Sequence, residues 1–309
     1  MDYTIIGIDV SKNNLDVCFL PSEQSITISN DKSGYKQLTR KIGKCKTVKI
    51  LLESTGCYHK NIQSYLLSLD FSVYILNPKQ VRDYAKSCGR LAKTDKIDAL
   101  MIARYGQTHE VRLKGLSSVG TERFKLLIER RRQIIRMRTN EKIHAEKYRV
   151  LNDKPVLRFI ESSIMFYDKQ LSDIDSSLAL ILEQCSELKT VYSAITEVRG
   201  VGPATAYDIM ADMPELGSMS KREVAALAGV APMNCDSGGM RGQRHIKGGR
   251  FYVRQALYMA CLSGIRYNPV IGAYYRRLRY EGKKPFKVAM VACMRKMILH
   301  LNSVCAAIK

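Results

Sequence analysis

Acidic residues all but vanish from the last quarter of this chain. Between Gly238 and Lys309 stand fifteen lysines and arginines and a single acid, Glu281, a net of +14 within a whole-chain formal charge of +21. A solvated surface normally mixes both signs. A face of one sign points instead to a polyanionic partner, because phosphates neutralised by Lys and Arg release their counterions.

Other absences narrow the class further. The nine cysteines contain no C-x-x-C pair and are odd in number, and the five histidines show no ligand spacing. That excludes a zinc or disulfide framework and reads as reduced core cysteine in a cytoplasmic protein. The chain enters a strand without a basic segment followed by an apolar one, so no secretory signal is expected. No uninterrupted apolar run approaches the roughly 18 residues of a membrane span, so no membrane partner is expected. At 309 residues, 46% of them hydrophobic, the length suits two or three domains with cores of their own.

Residues 1–118 alternate strand and helix signals. Strands are expected over Thr4–Asp9, Leu15–Leu20, Gln24–Ser29, Val48–Glu53 and Ser72–Leu76, the last closed by Asn77-Pro78. Helices are expected over Ser33–Ile42, Asn61–Leu69 and Asp95–Tyr105. A meander followed by alternating helix and strand predicts a mixed sheet with helices on its faces. Residues 119–190 change to long helices. The first, capped by Thr121, carries Phe124, Leu127, Ile128, Ile134 and Ile135 on one side and Arg130, Arg131, Arg132, Arg136 and Arg138 on the other. After a break at Asn152-Asp-Lys-Pro155, apolar residues from Leu157 to Ile181 recur at threes and fours. Such a stripe fits a coiled-coil oligomerisation arm or an ordinary bundle core. Residues 191–309 form a third, mainly helical region. It opens with Gly200-Val-Gly202 between two helices, has a capping box at Ser220-Lys-Arg-Glu223 and an irregular glycine-rich stretch over Ala231–Arg250, and ends in three basic helices.

Against the general scarcity of acids, four stand out. Asp9 ends an apolar strand in Thr4-Ile-Ile-Gly-Ile-Asp-Val-Ser-Lys12, and Glu53 ends another in Ile50-Leu-Leu-Glu-Ser-Thr-Gly56. Asp95 and Asp98 lie three apart in Lys93-Thr-Asp-Lys-Ile-Asp-Ala99, on one side of a helix. Acids ending two apolar strands, with a helical pair, match a ribonuclease-H-like plan in which the first and fourth strands are neighbours and a late helix crosses them. Carboxylate oxygens suit Mg²⁺ or Mn²⁺, and two such ions serve phosphodiester chemistry.

Two further motifs concern nucleic acid. Gly200 and Gly202 resemble the turn of a helix-hairpin-helix element, which offers backbone amides to phosphate; a plain interhelical turn is the simpler reading. The segment Asn234-Cys-Asp-Ser-Gly-Gly-Met-Arg-Gly-Gln-Arg-His-Ile-Lys-Gly-Gly-Arg250 joins five glycines to Arg241, Arg244, His245, Lys247 and Arg250, with Arg254 just beyond. Glycines admit phosphate to the backbone and arginines clamp it. Ser237 there is a phosphate ligand, a turn residue or a nucleophile; no base beside it in sequence would take its proton.

These residues resemble the transposases of the insertion sequence 110 family. The four acids resemble its DEDD set in a RuvC-like first domain. Gly200-Val-Gly-Pro-Ala-Thr-Ala206, Ala228-Gly-Val-Ala-Pro232, Ser237-Gly238, Ile246-Lys-Gly-Gly-Arg250 and Arg254-Gln-Ala-Leu-Tyr-Met-Ala260 resemble its second domain, in order and spacing. The resemblance implies a RuvC-like DEDD domain over 1–118, a helical arm over 119–190 and a transposase domain over 191–309. It implies a site-specific recombinase that moves its own element. Asp9, Glu53, Asp95 and Asp98 would be the metal ligands and Ser237 a nucleophile forming a phosphoserine link. It further implies two partners, duplex DNA of the element ends and target and a structured non-coding RNA that pairs with them. A homo-oligomer, dimer or tetramer, is expected, with acids of one protomer and Ser237 of another combined in one active site. Rival readings are a RuvC-like endonuclease using water with Ser237 structural, a recombinase using Tyr252, Tyr258, Tyr274 or Tyr275, and a non-catalytic nucleic-acid-binding module.

Overall fold

The computed structural model describes residues 4–43, 48–54, 56–89, 95–110, 119–234, 242 and 244–308. Packing divides the chain into two units, Met1–Leu116 and Ser117–Lys309.

The first unit is built on a mixed sheet. Strands β1 (Thr4–Val10), β2 (Asn14–Leu20) and β3 (Gln24–Ser29) form an antiparallel meander. Strands β4 (Val48–Glu53) and β5 (Ser72–Leu76) add parallel to β1, giving the order β3-β2-β1-β4-β5. The expected strands are all present. One face carries Ile6, Ile8, Val17, Ile50 and Leu52 and is covered by α1 (Lys32–Ile42) and α2 (His59–Leu67). Helix α1 starts one residue before the expected Ser33, because the Asp31 carboxylate accepts hydrogen bonds from the Ser33 and Gly34 amides.

The opposite face carries Ile5, Leu51 and Leu76 and is covered by α3 (Pro78–Ser87) and α4 (Asp95–Thr108). Helix α3 falls where only a strand end was expected. Asn77-Pro78 both closes β5 and opens a helix, the Asn77 side chain accepting from the Lys79 amide and Pro78 filling the first turn. Helix α4 lies across β1, β2 and β4 and meets the backbone of β1 directly at Gly7. A Cβ on Gly7 would stand 2.3 Å from the Ala99 carbonyl oxygen and 2.4 Å from the Ala103 nitrogen. Beside this contact the Lys49 ammonium donates to the Gly106 carbonyl (2.6 Å) and lies 5.3 Å from the Tyr74 ring. Burial pulls the Lys49 pKa down, with Glu110 opposing it.

Among the described residues, the second unit is helical apart from one short hairpin. Helices α5 (Val119–Val150) and α6 (Lys154–Gln184) run antiparallel as a long pair. Helix α5 already includes Thr121, so that residue is not its cap. The turn is closed by Asp153, which accepts from the Val156 amide. Bases of both helices enter a core with α7 (Ser186–Thr196), α8 (Pro203–Asp212), α9 (Lys221–Leu227), α10 (Phe251–Tyr267), α11 (Pro269–Arg276) and α12 (Phe286–Ala307). The expected capping box at Ser220 and Glu223 is present. After α11 the helix widens for one turn, the Gly282 amide reaching the Arg277 carbonyl at 2.9 Å. Two-residue strands β6 (Pro232–Met233) and β7 (His245–Ile246) pair antiparallel inside the stretch expected to be irregular.

Helix α12 is long and apolar enough to span a membrane by length and composition, but Arg295-Lys296 interrupts its apolar run and half of its apolar window is buried inside the protein. Its Met290, Cys293, Met297, Leu301 and Cys305 belong to the core. Burial pushes the thiol of Cys293 up to about 11 and that of Cys261 to about 12, so both pack as inert side chains.

Gly7→Ala should therefore destabilise the first unit by roughly 1–3 kcal/mol through overpacking. At Gly202 the backbone is extended and nothing lies within 4 Å of an added Cβ, so Gly202→Ala should stay within about 0.5 kcal/mol. Urea unfolding measures both, and an unchanged Gly7→Ala midpoint would contradict the close seating of α4.

Candidate active site

The sheet register places the first two acids. Ile8 pairs with Leu52 across the parallel β1 and β4, so Asp9 and Glu53 are the next residues of each strand, at the same carboxyl end. Strand alternation puts Asp9 on the face of Ile5 and Gly7, and Glu53 on that of Lys49 and Leu51, which is the face α4 covers. Ala99 and Ala103 lie over Gly7, while further along α4 Arg104 pairs with Glu23 in the β2–β3 turn and Gly106 accepts from Lys49, both nearer the start of β1 and β4, so α4 runs against these strands. Its first turn, which holds Asp95 and Asp98, is thus directed towards the strand ends carrying Asp9 and Glu53. Asp9, Glu53 and Asp98 are all half-buried. Of Asp95 only the backbone is described.

A fifth acid went unremarked in the sequence. Asp16 on β2 pairs directly with Asp9, which puts it on the same face, and it is buried. The Thr27 hydroxyl on β3 donates to its Oδ1 at 2.5 Å. Opposed like charges in adjacent strands are unfavourable unless something offsets them. The signal was available in Asn14-Leu-Asp16, where an acid interrupts an apolar strand.

The expected donors are all carboxylate oxygens, the set preferred by hard divalent cations. Among the described residues, no three His, Cys, Asp or Glu side chains are gathered closely enough to share an ion.

In the second unit, Ser237 and Arg241 lie outside the described residues. Strands β6 and β7 flank that segment and leave Arg244 and Lys247 exposed. The glycines expected to receive phosphate have a different use at the hairpin base. A Cβ on Gly249, at φ 75°, would stand 2.2 Å from the Gly229 backbone. Gly249 therefore packs main chain against main chain, beyond the end of α9. Gly200 is equally committed, since a Cβ there would meet the α10 backbone at Ala260 and Gly264 within 3 Å.

Several basic side chains expected to face nucleic acid are taken up internally. The Arg250 guanidinium donates to both Glu215 carboxylate oxygens at 2.6 and 2.7 Å and to the Asp212 carbonyl at 2.5 Å. Arg254 donates from Nη1 to the Gly248 carbonyl at 2.6 Å but is not enclosed, since it also lines an open cleft. On α5, Arg132 pairs with Asp208 and Asp212 of α8 at 2.7 Å each, and its guanidinium lies 4.2 Å from the centre of the Tyr252 ring. Burial pushes the Asp208 carboxyl up, and Arg132 holds it down. Arg131 pairs with Asp175 (2.7 Å) and Arg138 with Asp168 (2.5 Å), tying α5 to α6. Arg130 and Arg136 are exposed. Three of the four tyrosines weighed as nucleophiles are also in contact with other groups: Tyr252 under Arg132, Tyr274 under Arg277 and Lys296, and Tyr275 edge-on to Phe286, whereas Tyr258 is exposed.

A sheet of this order, with acids ending the adjacent first and fourth strands and a helix crossing them, defines a RuvC-like, ribonuclease-H-type domain. Residues 6–151 match the family model of the IS110 DEDD transposase region, described as a transposase. Residues 192–276 match the model described as transposase IS116/IS110/IS902 family. The chain belongs to the IS110 family of transposases and is a DNA recombinase.

Among curated relatives, the pilin gene-inverting proteins of Moraxella bovis and Moraxella lacunata are each 28% identical over 96% of this chain and 94% of their own. An uncharacterised 42 kDa protein of insertion element IS900 from Mycobacterium paratuberculosis is 27% identical over 46% of this chain and 35% of its own. A solved structure of Thermus thermophilus RuvC with a Holliday junction substrate aligns over 36% of this chain and 99% of its own, at 12% identity and a TM-score of 0.29. That likeness is too slight to argue from, and the fold assignment rests on the strand order and the family models.

Arg132→Ala leaves two largely buried carboxylates without their cation and should cost about 3–5 kcal/mol in urea unfolding. Arg244→Ala and Lys247→Ala should instead leave stability within about 0.5 kcal/mol. Each should lower the slope of log DNA affinity against log salt by roughly 0.9. Titrating duplex binding across salt concentrations measures this, and an unchanged slope would remove these side chains from the phosphate contacts.

Proposed function

We propose that this transposase excises and inserts its element by breaking and rejoining DNA strands through a phosphoserine intermediate at Ser237. The observation that carries the reading is the convergence of the carboxyl ends of β1 and β4 with the first turn of α4, within a chain matched by both IS110-type models. In this reading Asp9, Glu53, Asp95 and Asp98 hold Mg²⁺ or Mn²⁺. Such an ion supplies Lewis-acid stabilisation to the charge that develops on a reacting phosphate.

Ser237 Oγ bonds to phosphorus, the phosphorus–oxygen bond to the leaving strand breaks, and the serine proton ends on the leaving oxygen as a hydroxyl. Attack by another strand's hydroxyl reverses these steps and returns the serine. No water is consumed, so the phosphodiester energy is kept for rejoining. Exposed Arg244 and Lys247, beside the segment that carries Ser237, orient the phosphate.

The charge of +21 supports simultaneous binding of duplex DNA and a structured guide RNA, each a polyanion. Gly202, at the start of α8 with open space around it, is available to a phosphate in the manner of a helix-hairpin-helix turn. Residues 119–190 serve as an arm for self-association. Exposed Ile143, Val150, Leu151, Phe159, Met165 and Phe166, clustered around the turn between α5 and α6, supply its apolar contact.

Denaturing electrophoresis of the protein after incubation with element-end DNA and Mg²⁺ should reveal a covalent protein–DNA species in the wild type and none in Ser237→Ala. Asp9→Asn and Glu53→Gln should lower its rate of formation by roughly 10⁴-fold. Cleavage by Ser237→Ala at the wild-type rate would overturn the serine reading in favour of a water-using endonuclease. Sequencing of RNA copurified with the protein checks the guide.

A further inference from the structure

A cleft of about 930 Å³ opens in the second unit between the faces of α10 and α12 and the strand β7. Its composition is unusual for a basic surface. Phe251, Arg254, Gln255 and Tyr258 come from one face of α10 at helical spacing, and Lys287, Val291 and Arg295 from one face of α12. Buried Met290, Met294 and Val230 line its interior. Phe251 is 62% exposed and Phe286 is 41% exposed. Rings left open to water in this way are costly unless something flat covers them.

The charge around the rings selects the occupant. Arg244, Arg254, Lys287 and Arg295 line the cleft, and its described lining contains no Asp or Glu. An apolar peptide or a second copy of this chain would satisfy the rings but leave four cations unanswered. A duplex would answer the cations, but its bases are stacked away from the rings. An unpaired nucleotide does both, with its base against an aromatic face and its phosphates on the basic rim. The volume suits such a ligand and lies within the usual range of small-ligand sites.

We propose that this cleft holds an unpaired DNA nucleotide by stacking its base on Phe251 and Tyr258. The assignment rests on the DNA strand-transfer reading in one respect. The cleft is walled by Arg244, His245 and Ile246 of the hairpin, and the segment between the hairpin strands carries Ser237. On that reading, the unpaired nucleotide belongs to the DNA strand undergoing exchange. Arg254, fixed by its bond to the Gly248 carbonyl, lies between Phe251 and Tyr258 on α10 and meets the adjoining phosphate.

The test uses the full chain without divalent metal, so that no strand chemistry is needed. Fluorescence anisotropy compares an eight-nucleotide thymidine strand with an abasic deoxyribose-phosphate strand of equal charge. Phe251→Leu and Tyr258→Leu should each weaken thymidine-strand binding about tenfold, the effect of losing one stacking ring, and leave abasic-strand binding unchanged. Tyr258→Phe, which keeps the ring, should bind as wild type. Equal losses on both strands, no loss on either, or a loss in Tyr258→Phe as large as in Tyr258→Leu would overturn the proposal. So would a change of sedimenting species in the leucine variants with thymidine-strand affinity retained, which would assign the cleft to a protein contact. Failure to trap a serine–DNA link, with these binding results intact, would sink the serine mechanism alone.

Discussion

The chemistry of the first unit depends on one close approach, the seating of α4 on the bare backbone of Gly7. With no side chain between them, helix and strand touch main chain to main chain. The contact sets both the height and the direction of α4, and with them the direction in which its first turn faces. Asp9 and Glu53 need no such help, since they are successive to a paired register on adjacent strands. The helical acids have no hydrogen-bonded ladder to place them. A bulkier residue at position 7 would lift the helix and carry Asp95 and Asp98 with it.

The second unit solves a different electrostatic problem. It must concentrate positive charge for a polyanion while keeping a helical core folded. It does so by dividing its arginines. Arg131, Arg132, Arg138 and Arg250 are spent internally, each against a carboxylate on another helix or turn. The Arg132 cluster joins α5, α8 and the start of α10 through Asp208, Asp212 and the Tyr252 ring. Arg244 and Lys247 remain exposed on or beside β7. Net charge is thus a poor guide to which side chains meet a ligand, although it identifies the ligand's sign.

Much of the first unit was legible because its signals are local. Each strand is a short apolar run with a turn at its end, and Asp9 and Glu53 are conspicuous as charges closing such runs. Helix α3 was missed because Asn77-Pro78 carries two meanings, a strand stop and a helix start, and only the first was taken. Asp16 was missed because a lone acid within a strand gains significance only beside its cross-strand partner. In the second unit the arginine stripe of α5 was visible only as the side opposite its apolar residues. Its partners lie 30 to 80 residues further along the chain, beyond any helical period. The glycines of Ile246-Lys-Gly-Gly-Arg250 read as a phosphate cradle, whereas Gly249 is required by the Gly229 backbone.

By itself the sequence determined the family, the strand run, the identity of the candidate acids and the polyanionic character of the partner. All of these are carried by residue type and short spacing. Tertiary structure decided which acids share a face and which arginines are already spoken for. It also decided that Phe251, unremarkable in the chain, and Tyr258, weighed there only as a nucleophile, open onto a basic cleft. Those outcomes depend on side chains brought together from distant segments, where packing and desolvation, not local order, set the energy.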